Sequence, residues 1–389
     1  MKAKVNQIDN TKEWFVAIVL FIMTSPYFVW HSPIRLVSVF LFYGIAITHS
    51  SKISQKYVGG FILLSFFYFL VAIRYGLKPS MLYTMLIPIV FLINKSFFCR
   101  CFEKFVKIFA ICMSVSLFIY VLVVVFKINL PYSTIVPLNS LKEKEGYSYL
   151  RYLFLICDPT ERGIIMRFYG IYDEPGVVGT ISSIILASNK YAFKKNRFLI
   201  PVFIAGFFSF SLFFYVVSIV SALLLFRKKN AIYVLLFVVI VIYALSFIPG
   251  ADILVFNRFS IEKGIWLGNS RSVGGYDEWF RQFIRTPDVL LGLGPGANLL
   301  YNKGGASYKD LITNYGIIMF SIYLFSLIIL ITKTKSTLRE RMIAALVILG
   351  YIFQRPFVTD VFMVLSIMYV LFNNEEKEGN RMINFPNKV

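Results

Sequence analysis

Charge is scarce in this 389-residue chain: Asp, Glu, Lys and Arg make up 15% of it, against 58% hydrophobic residues and a mean hydropathy of +0.71. A soluble domain carries about 25% charged and 45–50% apolar residues, so a water-covered globule is excluded. Histidine is nearly missing. The only two, His31 and His49, flank short early apolar runs, which excludes a histidine relay or zinc site in the long polar segments. Cysteine is sparse as well. Cys99 and Cys101 fall in a basic stretch, Cys112 in an apolar run and Cys157 alone in a polar loop, so no disulfide staples that loop internally. A lone Cys-x-Cys has no second pair with which to hold a metal. No P-loop, Gly-x-Ser-x-Gly or His-Glu-x-x-His pattern occurs. Neither cofactor nor metal is expected. Few charges lie deep in the apolar runs, which argues against a proton pump built on buried carboxylates.

What is present is apolar sequence in runs long enough to cross a hydrocarbon core of roughly 30 Å as helices of about 20 residues. Runs such as 121–126 and 235–242 are apolar at every position, not at alternate ones, so a membrane β-barrel is excluded. The fold class expected is an all-α polytopic membrane protein, one transmembrane domain over 1–389. Lys and Arg number 40 against 20 Asp and Glu, a net charge of +20. In a soluble protein that excess suggests nucleic acid; here it reports orientation, and no nucleic-acid partner is expected.

Spans are predicted near 14–31, 34–48, 57–75, 81–94, 105–126, 176–193, 231–249 and 311–331. The run 198–226 is bracketed by basic clusters at both ends, which demands an even number of crossings in too few residues for two full spans. A broken pair turning near Gly206 to Ser211 is the expectation, with one long tilted helix as the alternative. The run 343–372 is interrupted by Gln354-Arg355-Pro356 and is read as another pair. About twelve crossings result, with both termini in the cytoplasm and two long outer loops, 127–175 and 250–310. The N-terminus is too long and polar before Trp14 for a signal peptide. No internal repeat or low-complexity segment is visible.

Chemistry is concentrated where each outer loop approaches a span. In the first, Arg167-Phe-Tyr-Gly170-Ile-Tyr172-Asp173-Glu174-Pro175-Gly176 places carboxylates just before a helix start. Pro suits a first helical position and acids favour the helix N-terminus, so Asp173 and Glu174 read as helix-start residues. Glu174 reads equally as an anchor for Arg167 or a base for a sugar hydroxyl. In the second, Arg271, Glu278, Arg281 and Arg285 have near-helical spacing, so that several of them can share one face of a short amphipathic helix with Trp279 at the membrane surface. Such a helix is either a plain interfacial element or a binder of phosphate, whose oxygens the guanidinium fork matches. Gly292, Gly294 and Gly296 let backbone approach a ligand or make a tight turn.

These features resemble the Wzy-type O-antigen and capsule polymerases, membrane glycosyltransferases related to the O-antigen ligases. The resemblance rests on the twelve-span layout with two long outer loops, the Arg167 to Pro175 segment, the Ser209-Phe-Ser211 break and the Arg281 to Gly294 segment. In that family an arginine followed by ten residues and a glycine recurs. Arg281 to Gly292 and Arg285 to Gly296 fit; in the first loop Arg162 leads to Asp173 and Arg167 to Val178, which do not. The ligases carry a histidine before the span that follows the second loop, where this chain has Ala306-Ser-Tyr308-Lys-Asp310, which favours polymerase over ligase.

The resemblance implies a GT-C-like architecture in the bacterial inner membrane. It also implies transfer of a growing glycan from undecaprenyl diphosphate onto a second lipid-linked repeat unit at the outer face, yielding O-antigen or capsular polysaccharide. Glu174, Arg281 and Arg285 are the candidate catalytic residues; Arg167, Arg271, Tyr172, Gly292, Gly294, Gly296 and Tyr308 are the candidate substrate contacts. Partners implied are the lipid-linked donor and acceptor, membrane lipid, and a chain-length regulator and flippase of the same pathway. The alternatives are a lipid-linked oligosaccharide flippase, an O-antigen ligase, or an assembly scaffold.

Overall fold

The computed structural model describes residues 2–51, 55–74, 76, 83–138, 143, 146–161, 166–225, 243, 247, 261–262, 265–266, 275–297, 301, 308–334, 337–354, 358 and 360–383. The chain is mostly helical, as uniformly apolar runs require. Its helices are α1 (Lys2–Met23), α2 (Ile34–Thr48), α3 (Val58–Arg74), α4 (Lys95–Tyr120), α5 (Pro175–Ser188), α6 (Leu199–Phe208), α7 (Leu212–Leu225), α8 (Tyr276–Phe283), α9 (Tyr308–Lys333), α10 (Leu338–Gln354) and α11 (Val361–Ile383). Two are long and apolar enough to cross a membrane: α4 with the π-turn that continues it, Lys95–Val125, and α9. Shorter apolar helices occupy most of the other predicted runs. The predicted span 231–249 falls almost wholly outside the described residues, as do Arg355 and Pro356.

Two compact units result, Met1–Ser38 with Arg100–Gly268, and Val39–Cys99 with Asn269–Val389. In the first, the segment 127–175 adds short strands to a mostly helical chain. It carries an antiparallel sheet of β1 (Ser133–Ile135), β2 (Tyr149–Tyr152) and β3 (Leu155–Cys157), with Ser133 opposite Arg151 and Leu150 opposite Cys157. Tyr149, Leu150 and Tyr152 are buried and Arg151 is exposed, a pattern that fits a half-buried strand. Trp30, Tyr149, Ile156 and Tyr169 form a small core that binds this sheet to the turn after α1. Later in the unit, β4 (Ile261–Glu262) and β5 (Ile265–Trp266) make a short hairpin.

The run 198–226 is broken. Helix α6 stops at Phe208, Phe210 turns the chain with φ 49°, and α7 starts at Leu212. Ser209 Oγ donates to the Gly206 carbonyl at 2.6 Å and accepts from Ser211 N at 3.3 Å, satisfying backbone that the break frees. Glycine permits the packing around it. A Cβ on Gly179 of α5 would lie 2.3 Å from Ser211 Cβ, and one on Gly206 2.2 Å from the Phe214 ring. A single long tilted helix is thereby excluded.

In the second unit α3 packs along α9, with Phe67 between Tyr315 and Tyr323 at ring separations of 5.7 and 5.1 Å. Gly316 interrupts α9 with φ 76° and ψ 167°. A reciprocal cap starts α10: Thr337 N donates to Glu340 Oε2 at 3.0 Å, and Glu340 N to Thr337 Oγ1 at 3.4 Å. Asp360 Oδ1 accepts from Met363 N at 3.3 Å and caps α11.

Within each unit, contacts join ends that the charge pattern assigns to one side. Glu13 binds Arg100 Nε at 2.6 Å and also Lys104, whose Nζ donates to Asn10 Oδ1 at 2.6 Å. Lys95 lies over the Tyr57 and Phe372 rings, 4.3 and 4.6 Å from their centroids. All of these belong to ends read as inner. Among ends read as outer, Tyr27 N donates to Ile171 O at 2.8 Å in the first unit, and Arg74 Nη2 to Gly292 O at 3.4 Å in the second.

Candidate functional site

The first unit assembles its site on the extended segment leading into α5. Backbone bonds hold that segment at intervals: Phe168 N donates to Phe208 O at 2.9 Å, Ile156 N to Gly170 O at 2.8 Å, and Tyr172 N to Tyr169 O at 3.1 Å. Arg167 is half-buried, its guanidinium 5.8 Å from the Tyr169 ring centroid and 3.4 Å from the Tyr169 hydroxyl. That hydroxyl is in turn 3.5 Å from Asp158 Oδ2. The Tyr149 hydroxyl donates to the Asp173 carbonyl at 2.8 Å. Burial holds the Tyr149 phenol well above its ordinary range; the nearby Asp173, Glu174 and Asp158 carboxylates reinforce this and Arg167 opposes it. Three carboxylates and one arginine thus act electrostatically on a single tyrosine hydroxyl.

Glu174 is the N-cap residue of α5, yet its side chain makes no capping bond; its carbonyl accepts from Val177 N at 3.0 Å, with Pro175 following it. Tyr172, named from sequence as a substrate contact, is fully buried. Its hydroxyl is 2.9 Å from Thr24 Oγ1 and its ring 6.4 Å from that of Phe109, so it packs the turn and presents no polar group outward.

The second unit builds on α8. Asp277 and Glu278 stand in its first turn and Arg281 in its last, the order that suits the helix dipole. Tyr276, Phe280 and Phe283 are buried on one face, and Trp279 stacks on Phe283 at 5.7 Å with the rings 12° from parallel. Two polar bridges tie α8 to α9. Lys309 Nζ meets Asp277 Oδ1 at 2.6 Å, and the Tyr276 hydroxyl lies 3.2 Å from Thr313 Oγ1, beside the Asp310 carboxylate. Burial and that carboxylate hold the Tyr276 phenol well above its ordinary range, so it stays neutral and donates.

Arg281 lies on the opposite face, exposed, and Arg285 is exposed one turn further on, past the helix end. Neither makes an ion pair among the described residues, although Glu278 stands three positions before Arg281. Arg271, the third arginine of the predicted face, lies outside the described residues.

From Pro287 to Ala297 the chain folds back onto the start of α9. Leu293 N donates to Thr313 O at 2.7 Å, Gly294 N to Asn314 O at 3.0 Å, and Ala297 N to Asn314 Oδ1 at 3.2 Å. All three glycines have positive φ: 73° at Gly292, 113° at Gly294 and 79° at Gly296. They divide in role. A Cβ on Gly292 would sit 2.5 Å from Gly316 N, and one on Gly316 2.4 Å from Leu290 O, so this pair serves backbone-on-backbone packing within the chain. Gly296 has nothing within 4 Å of its Cβ position and leaves its backbone open. Tyr308 is half-buried in the first turn of α9.

Sequence reasoning passed over Arg74 and Asp310. Arg74 is exposed at the end of α3 with its guanidinium on the Gly292 carbonyl; the only signal for it was a basic residue at an outer span end. Asp310 is buried, and its signal was a carboxylate immediately before an apolar run. No family model matches the chain, and no curated protein or solved structure matches it.

Proposed function

We propose that the chain is a bacterial inner-membrane glycosyltransferase of about twelve crossings. In this reading it polymerises undecaprenyl-diphosphate-linked repeat units into O-antigen or capsular polysaccharide at the outer face. The observation that carries this reading is the pair Arg281 and Arg285: exposed, without an ion pair among the described residues, and placed beside a membrane-length helix. An arginine held for stability alone is expected to find a carboxylate, and Glu278 is within reach along the same helix. Guanidinium groups left open at a membrane surface match the doubly charged leaving group of a lipid diphosphate. As the glycosyl bond breaks, charge grows on that diphosphate, and preorganised arginines stabilise it without a metal. The acceptor is the sugar hydroxyl of a second lipid-linked repeat, whose proton a nearby carboxylate takes.

The test is the glycan ladder of cells lacking this gene, restored with wild type or with Arg281→Lys or Arg285→Lys. Loss of the long chains with survival of a single-repeat band, and restoration by wild type, is the expected result. Each lysine variant keeps the charge and loses the bidentate fork, and is expected to lower polymerisation on the order of 10²-fold. Loss of the single-repeat band as well would assign the chain to the flippase or ligase step, and an unchanged ladder would overturn the reading.

A further inference from the structure

Asp310 is a buried carboxylate that the Tyr276 hydroxyl bonds, with one oxygen left over. It is 6% exposed, and its Oδ1 accepts no hydrogen bond. Other acids in the same unit are employed: Asp360 caps α11, Glu340 bonds the Thr337 amide, and Asp277 pairs with Lys309. Around Asp310 stand the Tyr276 hydroxyl and the buried Thr313 hydroxyl, which lie 3.2 Å from each other, and no cation among the described residues pairs with it.

Burying a carboxylate with no cation beside it among the described residues costs much more than a helix N-terminus returns to it. Its position in the first turn of α9 therefore does not account for its presence. The residues next to the two partners in sequence, Lys309 and Asp277, pair at 2.6 Å with side chains 23% and 34% exposed, so Asp310 lies one side chain beneath the surface. It also lies beside the Gly292 to Gly296 turn, since Thr313 accepts Leu293 N while its hydroxyl faces Tyr276.

We infer that Asp310 is the proton acceptor of this unit for the attacking sugar hydroxyl, the role sequence alone offers to Glu174. The inference rests on the polymerase reading above. In the step, the acceptor oxygen forms a bond to the anomeric carbon of the donor. The bond from that carbon to the diphosphate breaks, and its electron pair leaves with the lipid diphosphate. The hydroxyl proton passes to Asp310 Oδ1, and the resulting carboxylic acid later returns it to water. Tyr276, neutral and donating, steadies the carboxylate.

The experiment uses the full-length protein in lipid nanodiscs with an undecaprenyl-diphosphate-linked repeat unit. Chain growth, binding of undecaprenyl diphosphate and the thermal unfolding midpoint are each measured. Asp310→Asn is expected to lower the turnover number at least about 100-fold, to leave lipid-diphosphate affinity within about twofold, and to raise the midpoint because a buried charge is gone. Asp310→Glu keeps a carboxylate and restores part of the rate. An Asn variant with near wild-type turnover overturns the inference. So does one that loses activity together with its folded state, unless Asp310→Glu folds and turns over. Loss of turnover in Glu174→Gln with an active Asp310→Asn returns the role to Glu174. A wild-type protein that binds the lipid but grows no chain overturns the polymerase reading, and the proton role falls with it.

Discussion

A methyl group at Gly292 would enter the backbone of Gly316, and the two residues are glycines for one reason: each has positive φ and each faces the other's main chain. Gly296 shares the positive φ without the crowding. Gly292→Ala is therefore expected to cost about 3 kcal/mol or more, the sum of left-handed strain and a displaced α9 kink, and Gly296→Ala only about 1 kcal/mol of strain. Thermal unfolding in detergent distinguishes them, and equal losses would refute the packing assignment of Gly292. The spacing from Arg281 to Gly292 and from Arg285 to Gly296 was legible in the sequence. It could not say that one glycine packs against its own chain and the other stands open, because that difference is made by Gly316, outside the motif. The burial of Asp310 was illegible for a similar reason: it depends on how Tyr276 and Thr313 pack beside the carboxylate.

At the scale of one element, α8 shows how much a period of 3.6 residues conveys. Tyr276, Phe280 and Phe283 recur at helical spacing and dock the helix, while Arg281 faces away. Phe280→Ala should remove about 3–5 kcal/mol through lost burial and the cavity left behind, whereas Arg281→Ala should change stability by no more than about 0.5 kcal/mol while impairing chain growth. Chemical denaturation of the two variants side by side checks this, and a large loss in Arg281→Ala would make that arginine structural. The Thr337-x-x-Glu340 cap and the break at Ser209 to Ser211 were likewise written locally, in residues that satisfy freed backbone. The three-strand sheet was not. Its strands have three or four residues and pair across the distance from Ser133 to Arg151, and such short segments carry too little alternation to mark a strand.

Over the whole molecule, the charge pattern sorts span ends into two sets, and contacts inside each unit respect that sorting: Glu13 with Arg100, Lys95 with Tyr57 and Phe372, Tyr27 with Ile171, Arg74 with Gly292. Lys and Arg placement is a guide to topology because moving a cation across a bilayer is costly wherever it occurs in the chain. The folds of the two long loops depend on side-chain packing and had no such shortcut. The topology makes a sharp demand on two exposed positions. Gln282 follows Arg281 in the segment read as the second outer loop, and Lys195 sits in the basic turn between α5 and α6. A cysteine at Gln282 should react with a membrane-impermeant maleimide added to intact spheroplasts, and one at Lys195 only after the membrane is opened. The native thiols favour a clean reading, since Cys99, Cys101 and Cys157 are buried and Cys112 is half-buried in α4. Equal labelling at both positions would remove the odd number of crossings between them, and with it the placement of Arg281 and Arg285 where a lipid-linked glycan is presented.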